Sequence, residues 1–326
     1  MSARASNLAT WAVVLALLFA VPSVVGFDGA LINIAVVIAI NAILALSLGI
    51  LFGYAGQMSL AHAAFYGIGA YTAANIALKW GVSFWWCLPI AALAAMLVAS
   101  ILSIVVTRME GIVFSLGTYA VGEMIRLVFV NWWQVTGGPQ GLSFQRRPES
   151  IFGLDFTTRG SFYYIVAAIL VLSYLGIRKL MKSKLGWWFV ALRENPVLAQ
   201  SLGINVHLAK AIVFILSAGL AGVVGVLYLY NFRHISPEAF SVWESILLIL
   251  IVMIGGVGTM AGPIIGAAVF LVLPEVLRLP PTVQPVLIGV VLILVVVLLP
   301  RGVVGTIEDW WKARRPKGQA ALKDPA

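Results

Sequence analysis

The chain has 326 residues, of which 62% are hydrophobic and only 10% are charged, and its formal net charge is +9. Soluble domains carry roughly 25% charged residues, so soluble globular, disordered and fibrous proteins are excluded. The long, almost wholly apolar run 283–299 excludes a β-barrel, whose strands alternate apolar and polar residues. The composition therefore predicts an all-α fold, a polytopic bundle of membrane helices.

Apolar runs between helix breakers predict ten candidate spans, most of them close to the roughly 20 residues that cross a bilayer. In chain order they lie at 8–26, 31–52, 60–78, 85–106, 112–130, 161–177, 209–230, 244–256, 264–277 and 284–299. The segments 244–256 and 264–277 are short, and they fit two short spans or one interrupted hairpin. We therefore expect about 8–10 transmembrane helices with glycine-rich interruptions.

Lysine and arginine predict the orientation of these spans. With ten spans, 14 of these residues fall on one side and 6 on the other, and Arg126 lies within a span. The side richer in positive charge is normally cytoplasmic, which places both termini in the cytoplasm. We expect a transmembrane domain over residues 1–302, with an external loop at about 131–160 and a cytoplasmic loop at about 178–208, and then a basic cytoplasmic tail over 303–326.

The first unusual segment is Gly53–Tyr71, which joins two apolar runs, is rich in glycine and contains no charged residue. Such glycines allow close helix packing, or let the backbone leave the helix where it lines a cavity. In the second case Gln57, Ser59 and His62 would supply hydrogen-bonding groups along a substrate path. Both interpretations stay open.

Glu123 and Arg126 lie three residues apart within the span 112–130, on one face of the helix. Ionisable groups in hydrocarbon are costly and usually face the bundle interior or a cavity, often as pairs. An internal ion pair and a path-lining pair are both compatible with the sequence, and Arg126 could also extend towards the external face.

Two loops carry turn or capping signals. The external loop contains a turn-forming cluster: Thr136, Gly137, Gly138, Pro139 and Gly141. In the cytoplasmic loop, a cap at Asn195, a proline at the next position and a stop at Gly203 predict a helix of about seven residues. A helix this short is not stable alone, so it either lies on the membrane surface as a connection or docks into a groove on another protein.

A second glycine-rich segment, Gly255–Pro263, repeats the pattern G-x-x-G-x-M of Gly53–Met58 and includes Thr259. Broken helices of internal repeats often meet at the substrate site of a transporter, although six positions are few. The chain has no phosphate-binding loop, no H-E-x-x-H and no G-x-S-x-G motif. Its one cysteine and three histidines form no metal-binding pattern, so nothing predicts an enzyme.

Four blocks in order resemble the LivM-type permeases, the membrane subunits of branched-chain amino acid ABC importers. Gly53–Tyr71 is similar to the family's G-x-x-G-x-x-S-L-[GA]-H segment, and Thr136–Leu142 to its external T-G-G-x-x-G-L. Arg193–Asn205 is similar to its R-E-N-x-x-[AR]-A-x-x-x-G loop, and Ile251–Gly266 carries its G-G-x-G-T-x-x-G-P block.

The resemblance implies a bacterial inner-membrane protein that binds no cofactor and no nucleic acid. It implies a LivH-like second permease subunit, a periplasmic solute-binding protein and two ABC ATPase subunits that hold ATP and Mg²⁺. The short cytoplasmic helix would couple to the ATPase through Arg193, Glu194, Asn195, Pro196, Ala199, Leu202 and Gly203. The external turn 136–141 would contact the binding protein, and the substrate path would include Gln57, Ser59, His62, Glu123, Arg126 and Thr259.

Other functions remain compatible with the residues. An ion-coupled secondary transporter of small polar solutes would use Glu123, Arg126 or His62 as a proton or ion relay. A passive channel would be indifferent to ATP and to coupling with an ion gradient. Within the same family, urea, amides and aromatic carboxylates are alternative substrates.

Overall fold

The computed structural model describes residues 29–150, 156, 158–277, 289–290 and 302–306. The predicted spans 8–26 and 284–299 and most of the tail 303–326 lie outside the described residues. The helices, in chain order, are α1 (Ala30–Leu48), α2 (His62–Trp80), α3 (Phe84–Val106), α4 (Gly111–Asn131), α5 (Trp133–Thr136), α6 (Arg159–Met181), α7 (Lys184–Glu194), α8 (Pro196–Ser201), α9 (Val206–Phe232), α10 (Val242–Gly255) and α11 (Gly262–Leu277).

The predicted membrane bundle is confirmed. Five described helices are long and apolar enough to span a bilayer: Leu31–Tyr54, Phe84–Val106, Gly111–Asn131, Arg159–Met181 and Val206–Phe232. α6 and α9 extend a few residues beyond the predicted spans 161–177 and 209–230 at both ends. α2 also forms where it is predicted. Its hydropathy is lower than that of these five spans, and it is rich in alanine and largely buried among other helices.

The centre of the bundle is α9, which packs against α1, α2 and α3. Glycines allow this close approach, because a Cβ atom on Gly69 of α2 would overlap the backbone of Gly222 of α9. In the same way, a Cβ atom on Gly225 would overlap the α2 backbone at Tyr66. Close packing, one of the two interpretations of the glycine-rich segment, therefore applies to the part of that segment that lies in α2.

The helices also break where the glycine-rich segments predict it. α1 continues into a π-helical turn, Gly49–Tyr54, after which residues 55–61 leave the helix until α2 begins. α10 ends at Gly255 and α11 begins at Gly262. With a rise of about 1.5 Å per residue, neither the 14 residues of α10 nor the 16 described residues of α11 span the roughly 30 Å of hydrocarbon alone.

Two features were not predicted. Leu142–Ser143 in the external loop forms strand β1, which pairs antiparallel with strand β2 at His234–Ile235. Strands of two residues leave no periodic pattern to read. The loop predicted to be cytoplasmic also contains α7, an 11-residue helix immediately before the predicted short helix.

Candidate functional site

The non-helical residues 55–61, which we call the first break, are held by side chains of α4. Ser115 Oγ donates a hydrogen bond to the Met58 carbonyl at 2.8 Å. The backbone N–H of Leu60 donates to Thr118 Oγ1 at 3.0 Å. Backbone groups that leave a helix within a membrane need such partners, so α4 fixes the conformation of the first break.

The second break, residues 256–261, lies directly beside the π-helical turn that leads into the first break. A Cβ atom on Gly53 would lie 3.0 Å from the backbone nitrogen of Gly258. Thr259 is a predicted path residue, but its side chain stabilises the second break. Its hydroxyl donates to the Gly256 carbonyl at 2.9 Å and accepts from the Gly262 N–H at 3.1 Å.

Arg193 joins the two breaks to the cytoplasmic loop. Its Nη1 donates a hydrogen bond to the Gly53 carbonyl at 2.6 Å. Gly258 has no room for a side chain, because a Cβ atom there would collide with the same guanidinium group, and Gly56, at φ +68°, lies against the aliphatic part of Arg193. The sequence placed Arg193 in the coupling segment and gave no sign of its contact with both breaks.

A cavity of about 450 Å³ opens at this end of the bundle. It is lined by residues 55–58, 109–112, 114–115 and 192–193, with Pro196 and Lys210. Gln57 is 7% exposed, and neither polar atom of its side chain has a hydrogen-bond partner among the described residues. Lys210 Nζ donates to Glu110 Oε1 at 2.9 Å, and this hydrogen bond lowers the pKa of Glu110.

The other two members of the predicted polar trio do not line this cavity. His62 and Ser59 are buried. His62 Nε2 lies 2.6 Å from Ser47 Oγ, and Ser47 Oγ in turn donates to the Leu44 carbonyl at 2.7 Å. Ser59 Oγ accepts from the Ala61 N–H at 3.3 Å. In this conformation His62 connects α2 to α1, while Ser59 stabilises the end of the first break.

Glu123 and Arg126 form the ion pair that their spacing predicts. Their side chains are partly exposed, and the same face of α4 exposes Tyr119 and Leu127. Because lipid solvates charges poorly, a partly exposed ion pair on a membrane helix favours contact with another protein or with water on that face.

The short helix predicted in the loop at about 178–208 is confirmed as α8. Asn195 Oδ1 accepts the N–H groups of Val197 and Leu198, both at 3.0 Å, and Pro196 occupies the first helical position. Gly203, at φ +83°, follows the end of the helix.

Large apolar side chains are exposed at α8. Val197, Leu198 and Leu202 are 73%, 58% and 72% exposed, while Ala199 is buried against the rest of the loop. Arg193 and Glu194 belong to the end of α7, so the predicted coupling residues form one continuous segment in which α8 presents its large side chains outwards.

The predicted external turn is compact. Thr136 and Gly138 are buried, and Thr136 Oγ1 lies 2.6 Å from the Phe129 carbonyl and accepts the Gly138 N–H at 3.2 Å. Gly137 and Gly141 are only partly exposed, whereas Pro139 is exposed. Of the residues predicted to contact a binding protein, Pro139 is therefore the most accessible, and the others shape the turn that presents it.

Among the described residues, no group of three His, Cys, Asp or Glu could hold a metal ion.

Similarity to known proteins agrees with the features of the two breaks, α8 and the turn at residues 136–141. The chain is 33% identical over 294 residues to the high-affinity branched-chain amino acid transport system permease protein LivM of Escherichia coli K12, which covers 83% of this chain and 69% of that protein. It is 32% identical over 315 residues to the protein of the same name from Salmonella typhimurium LT2, covering 89% of this chain and 74% of that protein.

No solved structure matches the chain. Residues 30–296 match the family model described as the permease component of the branched-chain amino acid transport system. The match includes both breaks, α8 and the turn at residues 136–141, and the chain therefore belongs to this family of membrane transport permeases.

Proposed function

We propose that this chain is one of two permease halves of an ATP-driven importer that moves branched-chain amino acids into the cytoplasm. A LivH-like subunit would supply the other half, and a periplasmic binding protein would deliver the substrate. ATP and Mg²⁺ would bind on two ATPase subunits outside this chain. The proposal rests on the family and on the names of the two relatives, both of which are high-affinity branched-chain amino acid permeases.

The observation that carries the ATPase partnership is the outer surface of α8. Three large apolar side chains lie exposed at this six-residue helix: Val197 and Leu198 on the helix, and Leu202 at its C-cap. A contiguous exposed apolar patch at the end of a polar loop is typical of a docking site. A helix of this length also needs a partner to be stable, and we assign that role to a groove on the ATPase.

Movement of α8 would reach the membrane through Arg193. This residue lies at the end of α7, directly beside α8. Its side chain contacts Gly56 in the first break, Gly53 in the π-helical turn before it, and Gly258 in the second break. A displacement of α8 by the ATPase would therefore act on both breaks at once. The breaks are the places where helices can bend with little cost, and alternating access would follow from their rearrangement.

The partly exposed ion pair Glu123–Arg126 indicates which face of this chain the second permease half would cover. It would cover the exposed face of α4, so that the ion pair borders the interface between the halves. Pro139 at the external turn would then contact the binding protein on the opposite side of the membrane from α8, with both termini in the cytoplasm.

Docking of α8 is tested by Leu198→Asp, with Leu198→Met as the matched control. We expect the aspartate to prevent co-purification of the ATPase subunits from membranes, because it places a charge in an apolar contact, and the methionine to preserve it. Both variants should reach the membrane in equal amounts, since Leu198 is exposed. ATPase subunits that co-purify normally with Leu198→Asp would refute the assignment of α8.

A further inference from the structure

We propose that the cavity beside Gln57, at the α8 end of the bundle, binds an aliphatic α-amino acid by both of its charged ends. It would be the last binding site that the amino acid occupies before it leaves the importer. The inference rests on the proposed function and names a site within it. The cavity joins the first break, the start of α4, the end of α7 and the start of α9. It therefore lies where a substrate that leaves the bundle must pass close to the coupling segment.

Gln57 supplies the first argument. Its side chain is more than nine-tenths buried, lines the cavity, and leaves both its carbonyl oxygen and its amide nitrogen without a partner among the described residues. Buried polar groups in proteins are nearly always hydrogen-bonded. An amide offers one acceptor and two donors, so it can bind either end of a zwitterion.

Charged groups of both signs complete the polar wall. Arg193 and the buried Lys210 provide donors for a carboxylate, and the first residues of α4, Gly111 and Ile112, also line the cavity at the positive end of that helix. Glu110 provides an acceptor for an ammonium group, and its side chain is 69% exposed, so a ligand can reach it. Opposite charges on neighbouring walls fit a zwitterion better than a simple anion.

The remaining wall is apolar and fits an aliphatic side chain. Met58, Met109, Phe114 and Leu192 face the same cavity. Methionine adapts its shape to different apolar partners, so the wall would accept side chains of several shapes. The volume of about 450 Å³ lies within the usual range of small-ligand sites.

The location gives the site a consequence for turnover. Arg193 and Pro196 line the cavity and also belong to the segment that connects α8 to the two breaks. An amino acid that enters from the ATPase side would contact these residues and oppose the return of the coupling segment. Product on that side should therefore inhibit import.

The test uses the assembled importer in proteoliposomes with the ATPase subunits facing outwards and with binding protein and labelled leucine enclosed. External ATP drives labelled leucine out, and unlabelled leucine is added on the ATPase side. We expect the half-inhibiting leucine concentration to rise about tenfold or more in Glu110→Gln and Gln57→Ala, each measured against its own uninhibited rate. Glu110→Gln removes the negative charge that pairs with the ammonium group, and Gln57→Ala removes a hydrogen bond to a charged group. N-acetyl-leucine and isopentylamine, which each lack one charged end, should inhibit much less than leucine.

The matched controls are Glu149→Gln and Gln145→Ala in the external loop, which should keep the inhibition of the unaltered importer. Glu110 is exposed, and a glutamine in its place keeps a side-chain oxygen that can accept from the buried Lys210, so Glu110→Gln removes the negative charge and leaves an acceptor for that lysine. Normal ATP-driven transport with no inhibition by leucine, or equal inhibition in Glu110→Gln and the unaltered importer, overturns this inference alone. Absence of ATP-driven leucine transport in the unaltered importer overturns the proposed function instead.

Discussion

Arg193→Ala is the substitution that most directly perturbs the connection between α8 and the membrane helices. It removes the hydrogen bond from Nη1 to the Gly53 carbonyl and the contact with Gly258. It leaves α8 itself unchanged, because the cap of that helix is Asn195. We therefore expect the ATPase subunits still to bind and hydrolyse ATP, but with less of their movement reaching the two breaks.

The size of the effect follows from the hydrogen bond that is lost. A hydrogen bond from a charged donor contributes about 1.5–3 kcal/mol. Arg193 is an exposed residue overall, so water replaces part of the interaction and we take the lower end, about 1.5 kcal/mol. Because about 1.4 kcal/mol corresponds to a factor of ten, the amino acid moved per ATP hydrolysed should fall about tenfold.

The assay compares leucine uptake and ATP hydrolysis in proteoliposomes that hold the complete importer. Lys179→Ala is the control, since it removes an exposed positive charge at the same end of the bundle. Arg193→Lys should recover part of the coupling because it keeps a charged donor, but not the planar guanidinium group. An unchanged ratio of uptake to hydrolysis in Arg193→Ala would show that movement reaches the breaks by another route.

Two further predictions concern the packing of the bundle and the cap of α8. Gly69→Ala should lower the free energy of unfolding of the purified chain by roughly 1–3 kcal/mol, because its Cβ would overlap the Gly222 backbone. Gly176 has open space around it, so Gly176→Ala should leave the free energy of unfolding equal or slightly higher. Gly69→Ala melting at the same temperature as Gly176→Ala would contradict the packing. Asn195→Ala should weaken binding of the ATPase subunits severalfold through loss of a cap worth about 1 kcal/mol, and Asn195→Asp, which can cap in the same way, should restore it. Equal loss of affinity in both Asn195 variants would mean that this side chain acts by direct contact and not by capping.

Helices and caps could be predicted from the sequence because they depend on neighbouring residues. The apolar runs placed the described spans to within a few residues. The pattern of Asn195, Pro196 and Gly203 predicted α8 with its correct limits, since a cap, a first-turn proline and a left-handed glycine are each local requirements. The glycines also indicated where α1 and α10 end.

Contacts between distant segments could not be read from one sequence. Arg193 and Gly53 are 140 positions apart, and nothing in either local pattern indicates that they meet. His62 and Thr259 are polar residues in glycine-rich segments, which predicts a substrate path, yet the structure engages both in hydrogen bonds that hold the helices or the turn. Among the predicted path residues of the first break, Gln57 alone lines the cavity with unpaired polar atoms.

The most direct test of the account is labelled leucine uptake by this chain reconstituted with its second permease half and binding protein, with and without the ATPase subunits. The account predicts uptake that requires the ATPase subunits and ATP and persists when proton and sodium gradients are collapsed. Uptake driven by an ion gradient in the absence of ATPase subunits would contradict it.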